Sequence, residues 1–176
     1  MKKNEVNALL VKIQEGDNQA FENLYEQTSQ GVYAFIYSYM KNSMDCEDVL
    51  QMVYMKIKNN IHQYREESNG LAWILQIAKN TALNELRGKK AYQRVQEEVK
   101  LNYSEKPKSS YEQKSIMEII KKSCSEEEQK IIILHVIWNY RHKDIAKELN
   151  IPIGTVTSKY KRAIAKVKIV WKEETK

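Results

Sequence analysis

Thr155, Ser158, Lys159 and Arg162 recur at intervals of three and four residues, so a helix through them sets all four on one face, with Lys166 further along. Hydroxyls of this kind bind phosphate oxygens. Arginine and lysine bind guanine edges or phosphates. The chemistry on offer is recognition of a polyanion rather than bond making. Elsewhere the chain has no acidic cluster with metal-ligand spacing, no glycine loop built to cradle phosphate and no nucleophile beside a base. His62, His135 and His142 are scattered, and Cys46 and Cys124 lie far apart without metal-type spacing. No enzymatic activity, metal or cofactor is expected, and the two cysteines are expected to be buried or incidental thiols.

The positioning elements follow from the pattern around that face. The stretch from Ser125 to Trp171 reads as helix, short turn, basic helix. Ile145, Ala146 and Leu149 form the apolar side of the helix before the turn, and Asn150-Ile151-Pro152 interrupts it. The next run buries Val156, Tyr160, Ala163 or Ile164, and Val167. This is a helix-turn-helix layout, whose second helix offers its polar face to a DNA groove. Charge agrees. From Asn139 onward ten basic residues face four acidic ones, which accounts for the whole net charge of +6 on the chain. Such a patch favours phosphate binding through counterion release.

Composition points to an all-α protein. Only 5 glycines and 2 prolines occur in 176 residues, and helical periodicity dominates. The expected architecture is two small helical domains joined by a flexible linker: residues 1–100, a linker over 101–112 where aliphatics thin out around Pro107, Ser109 and Ser110, and a helix-turn-helix domain over 113–176. No apolar run reaches membrane-spanning length, so no stable membrane insertion is expected. The N-terminus lacks the apolar core of a signal peptide, so the expected compartment is the cytoplasm.

The first domain has its own punctuation. Asp17 is placed to cap a helix through Phe21, Leu24 and Phe35. Ser43 is placed to cap the next, which opens on Asp45, Glu47 and Asp48, where acids complement the helix dipole. Asp45, Asp48 and Gln51 lie off its apolar stripe. A loop, Gln63 to Gly70, precedes a long helix whose apolar side includes Trp73, Ile74 and Ala78. Lys79, Asn80, Asn84, Arg87, Lys89 and Lys90 lie on its polar turns. In the second domain, Ser125 followed by Glu128 is a capping-box pattern.

Three segments, in order, resemble the sigma-70 family, and the short chain resembles its extracytoplasmic-function (ECF) subgroup. Asp45-Cys46-Glu47-Asp48-Val49-Leu50-Gln51 resembles the family's acidic docking helix. Leu71 to Arg87, LAWILQIAKNTALNELR, resembles its promoter-melting helix. Gly154-Thr155-Val156-Thr157-Ser158-Lys159 resembles the start of its reading helix.

The resemblance implies a factor that binds RNA polymerase core and directs promoter recognition, DNA melting and transcription initiation. Asp45, Asp48 and Gln51 would dock on the β′ clamp helices. Trp73, Lys79, Asn80, Asn84 and Arg87 would handle the minus-ten element, with the Gln63–Gly70 loop forming much of a pocket for an extruded base. Thr155, Ser158, Lys159 and Arg162 would read the minus-thirty-five element, with the β flap as a further partner. The linker would run through the polymerase. An anti-sigma factor is implied as an inhibitory partner. Three positions depart from the pattern: Met52 stands where an acid is usual, Asn84 replaces Asp, and Lys159 replaces Arg, which loses the guanidinium fork. The alternative reading is a dimeric helix-turn-helix regulator that acts without polymerase.

Overall fold

The computed structural model describes residues 3–40, 43–97 and 116–174. Side chains at 3, 43, 90, 92–97, 116, 117 and 174 are outside that description, as are the expected linker 101–112, the Ser43 cap and the Lys90 side chain. The described residues are helical throughout their regular structure and fall into two compact units, one before and one after the 98–115 stretch.

The first unit contains α1 (Lys3–Gln14), α2 (Asn18–Met40), α3 (Ser43–Asn59), a single 3-10 turn (Ile61–Gln63) and α4 (Gly70–Glu97). Gly16, at φ +92°, turns the chain out of α1. Asp17 caps α2, its Oδ1 accepting from the Ala20 amide at 3.0 Å. The core joins one stripe from each helix: Val6 and Leu10; Leu24, Val32, Phe35 and Ile36; Cys46, Val49, Val53 and Ile57; Ile74, Ala78 and Ala82. Burying each large aliphatic side chain is worth about 1.5–3 kcal/mol, and these residues carry the fold. A polar contact between α2 and α3 is sealed inside. The Thr28 and Tyr54 hydroxyls lie 2.6 Å apart, and the Thr28 hydroxyl also lies 2.6 Å from the Leu24 carbonyl. Burial pushes the Tyr54 phenol well up from its ordinary value, so it stays protonated.

The second unit contains α5 (Ile116–Ser123), α6 (Glu126–Ile132) continued by a π turn (Ile133–Ile137), α7 (His142–Leu149) and α8 (Ile153–Glu174). Ser125 caps α6 in a capping box with Glu128, as its sequence pattern indicates. Asn150 ends α7 in the left-handed conformation, φ 53° and ψ 48°, which an asparagine tolerates better than most residues. Ile119, Ile120, Cys124, Ile132, Ala163 and Val167 share one core cluster. At the position where Ala163 and Ile164 were both open, Ala163 is the buried one and Ile164 is half-buried. Trp138 is 1% exposed. Both cysteines are buried free thiols.

Candidate nucleic-acid interface

In the first unit α4 presents a line of side chains at helical spacing: Trp73, Ile77, Asn80, Asn84 and Arg87. Trp73 is half-buried, its ring tilted 55° on Tyr64 at 5.4 Å between centroids, so one part braces the loop and another faces outward. Asn80, Asn84 and Arg87 are exposed. The amide of Gln76 donates to Asn80 Oδ1 at 3.0 Å, and Arg87 donates to Asn84 Oδ1 at 3.4 Å. Each asparagine is therefore held by a neighbour about one turn away while its own NH₂ remains a donor. Gln76 was not among the expected residues, although its spacing from Asn80 placed it on the same face.

The loop leading into α4 is set by α1, which no local motif indicated. Asn7 reaches across with both ends of its amide, donating to the Ser68 carbonyl at 3.1 Å and accepting from the Gly70 amide at 2.9 Å. Gln14 donates to the Ile61 and Tyr64 carbonyls at 2.9 and 2.8 Å. Gly70 is required by this arrangement: a Cβ there would lie 2.6 Å from Leu10 Cδ1, and Leu10 is fully buried.

On α3, Asp48 and Gln51 are exposed, flanked on the same face by the exposed Met44 and Met55. Asp45 is different. It forms an ion pair with Lys89 of α4, so an expected docking acid is engaged by a cation from the polar side of that helix. Met52, in the place where an acid is usual, is half-buried. Lys56 donates to the Thr81 hydroxyl at 3.2 Å, a second polar tie between α3 and α4.

In the second unit the face of α8 is less uniform than its spacing suggested. Ser158 and Arg162 are exposed, Thr155 and Lys159 half-buried. Ser158 donates to the Thr155 carbonyl at 3.1 Å. Lys159 pairs with Glu127 of α6. Lys166 pairs with Glu128 of α6 at 2.8 Å, so it faces that helix rather than continuing the outward stripe. Glu128 is 5% exposed. Burial alone would raise its pKa, but the bonds from Lys166 and from the Ser125 backbone outweigh that and hold the carboxyl below its ordinary value.

The rings of His135, His142 and Tyr160 cluster with centroids 4.6–5.2 Å apart. Thr157 gives its hydroxyl proton to the Ile153 carbonyl, so it accepts from His142 Nδ1 at 3.0 Å. His142 Nε2 is then a buried lone pair without a partner. Burial, with His135 adjacent, lowers the pKa of His142 and keeps the ring neutral. Among the described residues no group of three or more His, Cys, Asp or Glu could hold a metal ion. Nor is any helix there long and apolar enough to cross a membrane.

This geometry, an asparagine-lined helix in one unit and a helix-turn-helix in the next, coincides with the matches to known proteins. The family model for Sigma-70 region 2 matches residues 24–92, and that for Sigma-70 region 4 matches residues 125–167. The chain belongs to the sigma-70 family, in its ECF group. It is 28% identical to the ECF RNA polymerase sigma-E factor of Haemophilus influenzae over 170 residues, covering 89% of each chain. It is 24% identical to the ECF RNA polymerase sigma factor SigX of Bacillus subtilis over 156 residues, 83% of this chain and 80% of that one. Among solved structures its fold resembles the sigma factor RpoE of Bartonella quintana, crystallised with the anti-sigma factor NepR, at a TM-score of 0.61 and 20% identity over 86% of this chain and 96% of that one. The region 2 match takes in α3, the loop and the described line along α4. The region 4 match takes in α6, α7 and the polar face of α8.

Proposed function

We propose that this sigma factor joins core RNA polymerase through α3, holds the minus-ten element along α4 and reads the minus-thirty-five element with α8. Residues 1–100 carry the first two tasks, 113–176 the third, and 101–112 tether them. Asp48 and Gln51 supply polar docking contacts on the β′ clamp helices, with Asp45 at the edge of that surface beside Lys89. Trp73 braces the loop and offers a ring edge to a base. Asn80 and Asn84 pair with base edges, and Lys79 and Arg87 meet phosphates. Thr155, Ser158, Lys159 and Arg162 enter the major groove, with the β flap beneath the second unit. The protein makes no bond itself and works in the cytoplasm, where polymerase and promoter are. An inhibitor of the anti-sigma class is its proposed regulatory partner, by likeness to the solved relative captured with one.

The observation that supports this reading most directly is the pairing of two compact units, in family order, each exposing one polar helical line suited to nucleic acid. Run-off transcription with purified core polymerase tests it. A promoter-dependent transcript should appear only when the protein is added. Arg162→Ala should reduce selectivity for the upstream element and Asn80→Ala for the downstream one, each by about 1–3 kcal/mol, the range for a good base contact. Absence of any promoter-dependent transcript ends the sigma reading. Tight binding of a palindromic duplex by a dimer without polymerase would establish the regulator instead.

A further inference from the structure

Helix α6 opens with Glu126, Glu127 and Glu128, three carboxylates where the helix dipole favours them. Two of these reach α8. Glu128 takes Lys166, and Glu127 takes Lys159, two turns apart on the same helix. Lys166 lies toward α6 in any case. Lys159 stands between Ser158 and Arg162 on the reading face, and in its ion pair it is 25% exposed against 37% for Glu127. Arg162, by contrast, is exposed and forms no ion pair among the described residues.

A cation entering a groove already paired with a carboxylate differs from a free one. Sequence-independent affinity grows with the number of phosphates neutralised, and a paired ammonium neutralises little. A pair anchored at a helix N-terminus also fixes the direction of a long flexible side chain, which otherwise has to be ordered on binding.

We infer that Glu127 is a specificity-positioning residue: it holds Lys159 against α6, so that Lys159 acts on DNA as an aimed donor while Arg162 supplies free charge. The inference rests on the reading of α8 as the upstream DNA reader. Removing the carboxylate releases a cation to any phosphate within reach. Binding becomes stronger and less selective.

The test uses holoenzyme reconstituted with core polymerase. One probe is a promoter fragment taken from mapped transcript 5′ ends after overexpression. The other is that fragment with its upstream element scrambled. Affinities are measured across a salt series. With Glu127→Gln the logarithmic salt slope should steepen by about 0.9, equivalent to roughly 3.5-fold in affinity over a fourfold change in salt. The scrambled fragment should gain more than the intact one. Glu127→Asp should restore much of the selectivity. In a Lys159→Gln background, Glu127→Gln should have no effect on slope or selectivity, whereas loss of simple carboxylate–phosphate repulsion would persist there. Thermal midpoints of all variants separate these effects from misfolding. An unchanged slope in a folded Glu127→Gln, with wild-type selectivity intact, overturns the inference alone, as does an effect that survives in the Lys159→Gln background. Failure of the wild type to distinguish the two fragments overturns the reading of α8 and this inference with it.

Discussion

The two units hold their candidate DNA-facing elements in different ways. In the first, the loop before α4 is fixed by neutral amides, Asn7 and Gln14, bonded to backbone groups of the 3-10 turn, the loop and the first turn of α4. In the second, α8 is fixed to its neighbours by Lys166–Glu128, by Lys159–Glu127 and by a neutral histidine on Thr157. Amide-to-backbone bonds carry no net charge, so salt and pH touch them little. Ion pairs and a buried imidazole respond to both. The loop of the first unit is therefore held by contacts that salt and pH touch little, and α4 beyond it carries the Lys89–Asp45 ion pair. In the second unit Lys159 and Lys166 of α8 are both matched by carboxylates from within the fold.

The sharpest way to break the contrast is steric. Gly70→Ala drives a methyl into Leu10 and toward Asn7 Oδ1, 2.6 and 2.8 Å away before relaxation. It should cost about 1–3 kcal/mol of stability in the first unit by denaturant unfolding, and abolish minus-ten selectivity with little change upstream. Next is Lys166→Met, which leaves a nearly buried carboxylate without its cation. Because Lys166 itself is 46% exposed, the loss should be nearer 1–2 kcal/mol than the value for a sealed pair.

Glu128 adds a pH prediction. Its folded pKa is depressed, so its stabilisation is present above the ordinary carboxylate value of 4.5 and is lost as pH falls through the folded value. In Lys166→Met that acid-induced loss should shrink, as seen in thermal midpoints across acid pH. Asn7→Ala should then cost about 1 kcal/mol in the first unit, with a salt dependence no different from wild type. A strong salt effect there would undo the comparison.

The smallest effect is expected from His142. A histidine whose pKa is depressed on folding contributes stability above its ordinary value of 6.5 that is lost as pH falls toward and through the folded value. The second unit should therefore soften when pH is lowered from about 7 to about 5. Unit-specific amide exchange at the two pH values measures the difference.

Much of this architecture was legible because it is local. The Asp17 cap and the Ser125–Glu128 box are read three residues at a time, and both form as their patterns indicate. The apolar stripes of α3, α4 and α8 follow from spacing alone, since a helix repeats every 3.6 residues whatever surrounds it. The exposed line Asn80–Asn84–Arg87 follows in the same way. What could not be read was long-range. Asn7 meets residues 61 and 63 positions away, and nothing in its neighbours distinguishes it from a solvated asparagine. Lys159, Lys166 and Lys89 look alike in sequence as cations on basic helices, and each turns out to have an acidic partner on another helix.

From the sequence alone came the helices, the Asp17 and Ser125 caps, the family and the polar faces of α4 and α8, because side-chain periodicity and local hydrogen bonding depend only on neighbours along the chain. The tertiary structure decided which charges on those faces are spoken for. It alone brings Glu127 to Lys159 and Asn7 to Gly70. The strength of an ion pair or a cross-helix hydrogen bond depends on distance in space, which the order of residues does not encode.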